Sequence, residues 1–528
     1  MFLIMSGAYV GPELESEFGK LPPSFLPLGN KRLFQHQVAL APTGADVFLS
    51  IPDSFELSTV DRELLSKQNV TVLQVPENLS LGASLVTAIN MSGHRLDRSL
   101  HVLYGDTLYG KLPVGDDIVS VSTSKSNYSW AVLTEDNLNW IQKNQPELSI
   151  SSEKIIDGYY KFSNPRELIK CITQKNWDIL EGLNLYHNSI GLTGVTSSNW
   201  LDFGHVNTYY HSKAQYTTQR AFNELSINSK WIEKSSVKSD KITAEADWFE
   251  KLPSKLKGYT PQYLGSSRTN GKVSYRLEYL HLTALNELFV FGKLTSRVWS
   301  RIFLNCVEFL QSCKEFQNES SETSNDLNSL FSKKTNNRLA EYCKNYNIDP
   351  ERRWKFNDNE SVSLSELMAK SESHLPPYEG KQTVLHGDFC FSNILYDFRA
   401  GKIKTIDPRG MTPEGKSTIY GDIRYDIAKL SHSVLGMYDW IIAGYYKVHI
   451  SDYEINFTLE QNNQLKETQR SFIEIIESEF QITTLNLYAM QIQLFLSMLP
   501  LHADDPVRQK ALLANAFRLY HIFQRLEQ

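Results

Sequence analysis

The stretch VLHGDFCFSNILYDFRAGKIKTIDPRG, residues 384–410, holds polar side chains in an order that suits phosphate chemistry. Asp388 is followed on the same short loop by Asn393, and Asp407 comes after an apolar, strand-like run. Phosphoryl transfer requires a residue that orients the hydroxyl nucleophile and ligands that hold Mg²⁺ against a triphosphate. An Asp and an Asn on one tight loop can supply that residue and one ligand. An Asp after a short hairpin can supply a second ligand.

This stretch resembles the aminoglycoside phosphotransferase and choline kinase superfamily, whose fold is similar to that of protein kinases. HGDFCFSN matches the HGDxxxxN loop of that superfamily, and IDPRG matches its metal-binding segment. The resemblance implies that Asp388 is the catalytic base and that His386 shapes the catalytic loop around it. It also implies that Asn393 and Asp407 bind Mg²⁺.

A later segment, GDIRYDIAKL at 421–430, resembles the structural segment of the same superfamily. The resemblance implies that Asp422 and Asp426 stabilise the loop and take no part in the chemistry. Together, the matching segments cover roughly residues 215–528.

A kinase of this kind also needs an upstream lysine that meets the ATP phosphates and a glutamate that holds the lysine. The segment WIEKSSVKSDKITAEADWF, 231–249, supplies Lys234 at the end of an apolar alternation and Glu245 on a helical stretch. We expect these two residues to form the pair. The alternatives that stay open are Lys238 and Lys241 for the lysine, and Glu250 for the glutamate.

The segment YRLEYLHLTAL, 275–285, has the pattern of the hinge whose backbone binds adenine in kinases. The expected adenine-binding positions are Glu278, Tyr279 and Leu280. A pronounced glycine-rich loop is absent, and RAFNELSIN, 220–228, stands in its place.

The first 210 or so residues alternate short apolar runs with helical patterns. The runs FLIMSG, DVFLSIP, VTVLQVP and LHVLYGD predict strands, with helical segments between or after them. Strands that alternate with helices indicate βαβ units and a mostly parallel sheet.

This N-terminal part resembles the sugar-phosphate nucleotidyltransferases, which share a Rossmann-like α/β fold. LPPSFLPLGNKRLFQHQ at 21–37 and NLSLGASLVTAI at 78–89 match family segments, and Gly82 lies in the second, on the side where the base binds. The resemblance implies that Asp106 in YGDTLY and Asp202 in NWLDFGHVNTY hold a Mg²⁺ that bridges the nucleotide and sugar phosphates.

The phosphate-binding loop of this family is altered here, because SGAYVGPELESEFGKLPPSFLP replaces the loop that should carry arginine and lysine. Gly7 and Gly11 can still offer backbone amides to phosphate, and Lys20 is a candidate substitute for the missing charge. Three acidic residues in the same segment are unfavourable neighbours for a triphosphate: Glu13, Glu15 and Glu17. Both a working enzyme and a degenerate domain are compatible with this pattern.

The expected fold class is an α/β, Rossmann-like nucleotidyltransferase domain followed by an α+β, protein-kinase-like domain with two lobes. The expected boundaries are 1–212 for the first domain, 213–290 for the kinase N-lobe and 291–528 for the helix-rich C-lobe. A polar stretch at 314–337 is expected to be a solvated loop without function.

Composition narrows the class of protein. A length of 528 residues predicts more than one domain. The net charge of −6 argues against a nucleic-acid partner. No apolar run reaches about 18 residues, which argues against membrane insertion. Five scattered cysteines without metal-ligand spacing predict reduced thiols and a cytoplasmic location.

The leading hypothesis is a bifunctional enzyme that makes an NDP-activated sugar or polyol for a surface polysaccharide such as capsule. ATP-dependent phosphorylation of a hydroxyl would precede nucleotidyl transfer from a second NTP, for example CTP, with Mg²⁺ in both steps. The expected partners are these nucleotides and a small sugar or alcohol acceptor, and a homodimer is compatible with the sequence. The alternatives are a monofunctional sugar or alcohol kinase with an inactive N-terminal domain, and a non-catalytic nucleotide-binding scaffold.

Overall fold

The structure, a computed structural model, describes residues 1–123, 131–134, 140–143, 154–197, 199–220, 225–228, 230–236, 239–269, 272–318, 327, 329–377 and 381–528. The chain divides into two compact units. Unit 1 comprises Met1–Lys213 with Phe291–Lys293, and unit 2 comprises Ala214–Val290 with Leu294–Gln528.

Unit 1 alternates strands and helices along the chain. Its strands are β1 (Phe2–Met5), β2 (Val47–Pro52), β3 (Val70–Val75), β4 (Leu100–Tyr104), β5 (Thr107–Tyr109), β6 (Ile118–Thr123), β7 (Ala131–Leu133), β8 (Ile141–Lys143), β9 (Lys154–Phe162), β10 (Thr193–Thr196) and β11 (Trp200–Asp202). Its helices are α1 (Pro12–Phe18), α2 (Leu33–Val38), α3 (Thr59–Lys67), α4 (Leu81–Ser92), α5 (Pro165–Gln174), α6 (Ile179–Ser189) and α7 (Val206–Arg220), which begins in this unit.

A mixed sheet with the strand order β10-β6-β9-β4-β1-β2-β3 forms the centre of unit 1. The four predicted strands correspond to β1–β4, which pair in parallel. Every residue of β1 and β2 is buried. This burial agrees with their nearly continuous apolar sequences, since a parallel strand that is covered on both faces exposes no side chain to water. The expected parallel sheet is only part of the result, since β9 runs antiparallel to both β4 and β6.

The segment expected to form a phosphate-binding loop contains helix α1. Pro12 occupies the first helical turn, where its missing N–H removes no hydrogen bond. Gly19, with a φ of +79°, ends the helix. Leu14 and Phe18 are buried, so the helix is held by its apolar face while its acidic residues lie on the other side.

Unit 2 contains short antiparallel sheets and a large set of helices. Its strands are β12 (Leu225–Ile227), β13 (Trp231–Ser236), β14 (Tyr263–Thr269), β15 (Lys272–Glu278), β16 (Thr283–Ala284), β17 (Arg353–Phe356), β18 (Val362–Ser363), β19 (Thr383–Val384), β20 (Ile394–Asp397), β21 (Lys402–Thr405), β22 (Tyr420–Gly421), β23 (Tyr446–Ser451) and β24 (Glu454–Leu459). Its helices are α8 (Ser239–Lys251), α9 (Leu285–Phe291), α10 (Ser296–Lys314), α11 (Lys334–Tyr346), α12 (Leu364–Glu372), α13 (Ile423–Val434), α14 (Tyr438–Ile442), α15 (Asn463–Phe480), α16 (Thr484–Met498) and α17 (Pro506–Glu527).

Helix α8 packs on the four-stranded antiparallel sheet β12-β13-β15-β14, with the ring of Phe249 5.8 Å from that of Tyr275. The hairpin β20–β21 carries the segment between Asn393 and Asp407. Helix α16 is buried at every position from Leu487 to Met498. A helix that is apolar on all sides belongs in a core, which agrees with the predicted buried helices near the C-terminus.

The polar stretch 314–337 is not simply a solvated loop. Its last residues begin α11, and Thr335 Oγ1 donates a hydrogen bond to the carbonyl oxygen of Gln493 in α16 at 3.2 Å. Residues 319–326 and 328 lie outside the described residues. The polar composition of the stretch concealed residues that pack in the core, since Leu330, Phe331 and Thr335 are all buried.

Among the described helices, none is by itself both long and apolar enough to cross a membrane. One pair, Asn463–Phe480 with Thr484–His502, passes the test of length and composition jointly and is bent by 108° at its break.

Replacement of Gly410 by alanine is expected to destabilise unit 2. Gly410 has a φ of +65°, and a Cβ there would lie 2.2 Å from the carbonyl oxygen of Ala244 in α8. Gly415 is the matched control, because its φ is +88° but a Cβ there would meet nothing within 4 Å. Gly415→Ala should cost about 1 kcal/mol for the left-handed backbone alone.

Because Gly410→Ala adds a clash with the backbone, urea unfolding should show a loss at least ~2 kcal/mol larger than that of Gly415→Ala. Equal losses in the two variants would contradict the close approach of the 410 backbone to α8.

Candidate functional site

The loop at 386–393 is held by a buried carboxylate beneath it. The Oδ2 and Oδ1 atoms of Asp426, in α13, accept hydrogen bonds from the backbone amides of His386 at 2.7 Å and Gly387 at 2.8 Å. His386 is fully buried, and its Nε2 donates to the carbonyl oxygen of Ile406 at 3.0 Å. Its Nδ1 accepts from the amide of Asp388 at 3.3 Å. The predicted loop-stabilising role of Asp426 is therefore confirmed, and His386 ties the loop to the segment that precedes Asp407.

Asp388 and Asn393 lie together at the tip of this loop. Asn393 Nδ2 donates to the backbone oxygen of Asp388 at 2.9 Å and to its Oδ2 at 3.0 Å. Lys429 Nζ, from α13, lies 2.8 Å from Asp388 Oδ1. Burial opposes ionisation of Asp388, but the neighbouring Lys429 and Arg409 cations outweigh it and lower the pKa of Asp388 well below its usual range. Asp388 is therefore a carboxylate at neutral pH.

Lys234 lies between two carboxylates. Its Nζ is 2.8 Å from Glu245 Oε2 and 3.3 Å from Asp407 Oδ1. The hydroxyl of Tyr275 also donates to Glu245 Oε2, at 2.8 Å. Glu245 is 1% exposed, and the second lysine near it, Lys241, is 68% exposed with its Nζ at 3.8 Å. The structure thus brings together the pair that the sequence favoured.

The alternatives for this pair are placed less well. Lys238 lies outside the described residues, and Glu250 is an exposed residue of α8. In the glycine-poor segment 220–228, residues 221–224 lie outside the described residues as well.

These groups line one cleft of about 370 Å³ in unit 2. Lys234, Asp407 and Asn393 form one part of the lining, and Asp388 lies on the same cleft. Further cations that the sequence did not single out also face it, namely Lys334, Arg338, Arg409 and Lys429. Tyr425 lies among them, and its hydroxyl accepts hydrogen bonds from Arg409 Nη2 at 2.8 Å and Lys334 Nζ at 3.3 Å.

One signal in the sequence could have revealed part of this set. Tyr425 and Lys429 are four residues apart in GDIRYDIAKL, so a helix there places both on one face. Burial opposes ionisation of the Tyr425 hydroxyl, but Arg409, Lys334 and Lys429 lower the pKa of that hydroxyl to about 7. No sequence motif around Lys334 and Arg338 predicts their place in the cleft, because only the tertiary fold brings α11 there.

The predicted hinge follows β15. The amide of Glu278 donates to the carbonyl oxygen of Gln262 at 2.9 Å, and that of Tyr279 donates to the carbonyl oxygen of Lys230 at 3.0 Å. Within the described part of the chain, the amide of Leu280 makes no backbone hydrogen bond, while its carbonyl oxygen accepts from Leu282 at 2.9 Å. Of the three predicted positions, only Leu280 keeps its backbone donor available.

In unit 1 a short strand pair brings Asp106 and Asp202 together. Asp106 precedes β5, Asp202 ends β11, and the two strands pair in antiparallel register, with Thr107 opposite Asp202. A Cβ on Gly204 would lie 2.6 Å from Asp106 Oδ2 and 3.2 Å from Asp202 Oδ1. Both carboxylates therefore point towards Gly204, which has no Cβ to occupy the space between them.

The electrostatics of this pair combine two close carboxylates with one neighbouring histidine. Burial, and then the nearby charge of Asp202, raise the pKa of Asp106 to about 6. His205 Nδ1 lies 3.3 Å from Asp202 Oδ2, and this contact raises the pKa of His205. A divalent cation between the two carboxylates would relieve the repulsion.

The other predicted residues of unit 1 are placed as follows. A Cβ on Gly7 would lie 2.5 Å from Val75 Cγ2, where β1, β3 and the first turn of α4 meet. A Cβ on Gly82 would lie 2.4 Å from the carbonyl oxygen of Trp177, so this glycine serves close packing against the backbone. Lys20 Nζ lies 3.6 Å from Glu77 Oε2 and 4.1 Å from the ring centre of Tyr9.

In proteins, Mg²⁺ binds to one or two carboxylates and to substrate phosphates. Asp407 and Asn393 offer a carboxylate and an amide, and Asp106 and Asp202 offer two carboxylates. Among the described residues there is no cluster of three or more His, Cys, Asp and Glu side chains that could hold a metal alone. Both sets therefore fit Mg²⁺ delivered with a nucleotide.

The free energy of unfolding is expected to decrease as the pH falls from 6.5 to about 4, in part because of His386. Burial lowers the pKa of His386 from 6.5 to about 4, so in this interval the unfolded chain binds a proton that the folded chain does not. This single group should contribute a loss on the order of 3 kcal/mol.

Urea unfolding at pH 7 and pH 4.5 measures this effect. His386→Gln should show a smaller loss on acidification than the wild type, and the exposed His449→Gln should behave as the wild type. An unchanged pH dependence in His386→Gln would contradict the buried neutral imidazole.

Comparison with known proteins gives the following result. No protein-family model and no curated protein matches the chain. Among solved structures, a nucleoside-diphosphate-sugar pyrophosphorylase from Vibrio cholerae RC9 is 14% identical and covers 40% of this chain and 99% of its own, with a TM-score of 0.33. The inositol-1-phosphate CTP transferase from T. maritima is 14% identical and covers 41% of this chain and 95% of its own, with a TM-score of 0.31.

The aminoglycoside-3'-phosphotransferase of type VIII is 13% identical and covers 54% of this chain and 97% of its own, with a TM-score of 0.32. The solved structures to which this chain is similar thus include sugar nucleotidyltransferases and aminoglycoside phosphotransferases, as the two sequence resemblances predicted.

Proposed function

We propose that unit 2 is an ATP-dependent kinase that phosphorylates a hydroxyl group of a small sugar or alcohol. The observation that carries this proposal is the single cleft lined by Lys234, Asp407, Asn393 and Asp388. It combines a lysine held by a buried glutamate with the carboxylate and amide ligands that a metal-bound triphosphate needs. The domain division that accompanies the proposal is an N-lobe at 213–290 and a C-lobe at 291–528.

In this proposal Asp388 orients the acceptor hydroxyl. The hydroxyl oxygen attacks the γ-phosphorus of ATP, the bond from that phosphorus to the bridging oxygen breaks, and ADP leaves. The hydroxyl proton passes to Asp388 and then to solvent. Because Lys429 keeps Asp388 ionised, this carboxylate acts chiefly by accepting a hydrogen bond from the hydroxyl, which suits a transfer that needs little base strength.

Lys234 would neutralise the phosphates of ATP, with Glu245 holding its ammonium group in place. Asn393 and Asp407 would hold Mg²⁺, which supplies charge neutralisation at the phosphates. The backbone amide of Leu280 would donate to the adenine ring, beside Glu278 and Tyr279. His386 would position Asp388 through its backbone and ring contacts and would not touch substrate.

We further propose that unit 1, residues 1–212, is a nucleotidyltransferase with a Rossmann-like fold. The convergence of Asp106 and Asp202 on Gly204 supports this proposal, since the pair suits a Mg²⁺ that carries nucleotide and sugar phosphates. Gly7 and Gly82 would lie along the nucleotide. The chain would then join two consecutive steps and make an NDP-activated sugar or polyol for a surface polysaccharide, in the cytoplasm, from ATP and a second NTP such as CTP.

One observation favours a second candidate, a kinase whose unit 1 is inactive. Lys20, the candidate substitute for the missing loop cations, lies against Glu77 and Tyr9. The segment that should cradle the triphosphate contains α1, with Glu13 and Glu15 in its first turn.

Asp388→Asn is expected to lower the rate of ATP-dependent phosphorylation by at least ~10². The reason is that the amide no longer accepts the hydroxyl proton and no longer balances Lys429. The measurement is a mass-spectrometric screen of ATP with a library of sugars and polyols, followed by kinetics on the best acceptor. Asp452→Asn is the control, because Asp452 is exposed with a φ of +46° that asparagine adopts easily. Full activity in Asp388→Asn would remove this residue from the mechanism.

Asp106→Asn and Asp202→Asn are expected to abolish release of pyrophosphate and to spare the kinase reaction. The four NTPs, each mixed with a panel of sugar 1-phosphates, provide the assay. Asp116→Asn is the control, since this side chain is 74% exposed and pairs with Lys161. Pyrophosphate release that persists in Asp106→Asn would contradict the metal site, and its absence in the wild type across the panel would favour the kinase-only candidate.

A further inference from the structure

One wall of the unit 2 cleft carries more positive charge than the phosphates of ATP explain. Lys334 and Arg338 lie one helical turn apart on α11, and Arg409 follows the Asp407 segment. Lys334 and Arg409 both donate to the hydroxyl of Tyr425, and Arg409 also lies over the ring of Tyr425 at 4.8 Å.

None of these three cations forms an ion pair with a carboxylate in the ranges that the structure describes. By contrast, Lys234 pairs with both Glu245 and Asp407, and Lys429 pairs with Asp388. Arg338 instead donates from Nη1 to the carbonyl oxygen of Ser497 at 3.1 Å. Tyr425 offers these cations one phenolate at most. Burial opposes the charge of Arg409, but Tyr425 and the nearby carboxylates of Asp388 and Asp426 outweigh it and raise the pKa of Arg409. The charge left without an ion pair therefore lies chiefly on Lys334 and Arg338.

Partly buried cations that have no anion beside them reduce the stability of the folded protein. Burial is the main cause that lowers the pKa of both Lys334 and Arg338, which is the mark of charge held away from water. The same three cations also line a second cavity of about 480 Å³, which Glu414 shares without pairing to them. The wall between the two cavities is therefore a place for an anion from outside the chain.

The geometry relates this wall to Asp388. Tyr425 and Lys429 are one turn apart on α13, on the order of 6 Å along the helix. Lys429 contacts Asp388, while Tyr425 contacts Lys334 and Arg409. The residue of α13 that contacts Asp388 and the residue that contacts the cations are thus about the width of a sugar ring apart along the helix. Lys234, which would meet the ATP phosphates, contacts Asp407 instead.

We propose that the acceptor of the unit 2 kinase is itself an anion, a small polyhydroxy compound that carries a phosphate monoester or a carboxylate. Lys334, Arg338 and Arg409 bind this oxyanion while a hydroxyl at the other end of the molecule meets Asp388. The inference rests on the proposed kinase function and names its substrate class. Several cations around one point suit the two charges of a phosphate monoester better than a single carboxylate.

The first experiment compares matched acceptors. Glucose, glucuronate and glucose 6-phosphate, together with glycerol, glycerate and glycerol 3-phosphate, are incubated with ATP and Mg²⁺, and products are identified by mass spectrometry. We expect kcat/KM to be at least ~10-fold higher for an anionic member than for its neutral counterpart. Whether kcat/KM is higher for the phosphate compound or for the carboxylate compound of each set tells which of the two oxyanions the site binds. Equal or faster turnover of the neutral compounds would overturn the inference and leave the kinase proposal standing.

The second experiment uses Lys334→Gln and Arg338→Gln, with Lys344→Gln on the exposed side of α11 as the control. Each variant is first shown to unfold at the wild-type temperature within a few degrees. We expect KM for the anionic acceptor to rise at least ~10-fold in the two cleft variants, with KM for ATP and kcat nearly unchanged. A rise in KM for ATP would assign these cations to the triphosphate and overturn the inference.

A binding measurement does not depend on turnover. Inorganic phosphate is titrated by calorimetry into protein saturated with Mg²⁺ and a non-hydrolysable ATP analogue. Binding to the wild type and to Lys344→Gln, with at least ~10-fold weaker binding to Lys334→Gln and Arg338→Gln, would support the anion site even if no tested compound is phosphorylated. Equal binding to all four proteins would overturn it. If no compound or water supports ADP release that depends on Asp388, the kinase proposal fails separately.

Discussion

The hydrogen bonds from the backbone amides of His386 and Gly387 to the carboxylate of Asp426 are the constraint on which the unit 2 cleft depends. They fix the start of the loop on α13, and the ring of His386 then links the loop to Ile406, next to Asp407. Gly387, with a φ of +79°, is the residue that permits this turn, since a Cβ there would lie 2.7 Å from Arg409 Cβ. One buried carboxylate therefore sets the spacing between Asp388 and Asp407.

The cations of the cleft fall into two groups, those that form ion pairs with carboxylates and those that do not. Lys234 is paired with Glu245 and Asp407, and Lys429 is paired with Asp388. These pairs hold the carboxylates and the cations in place, so the cleft is ordered without a ligand. The cations around Tyr425 are different because none of them forms an ion pair within the described part of the chain, which is why we propose a ligand for them.

In unit 1, strand pairing brings two carboxylates together. The pairing of β5 with β11 brings Asp202 beside Asp106 across a long interval of sequence. Gly204 leaves the space into which both carboxylates point. Burial, and then the nearby charge of Asp202, raise the pKa of Asp106. Two like charges held together in this way are the basis of the cation site that we propose for unit 1.

Local motifs were sufficient to predict the parts of the site that act within a few residues. The spacing of Asp388, Asn393 and Asp407 follows from a tight loop and a hairpin, and the β1–β4 strands follow from apolar runs of the right length. Local pattern also misled, since the acidic segment at 12–18 reads as a loop but forms α1 through two buried apolar residues. No local sequence pattern predicts that β9 lies beside β4 or that the two strands are antiparallel.

The sequence by itself determined which chemistry is possible, because the types and spacing of its carboxylates, amide and lysine are those of phosphate and Mg²⁺ binding. Only the tertiary structure decided which charges meet. Lys334 and Arg338 come to Tyr425 because α11 packs on α16, and Asp202 comes to Asp106 because two short strands pair. Contacts between residues far apart in the chain depend on how helices and strands bury their apolar faces, which no local motif records.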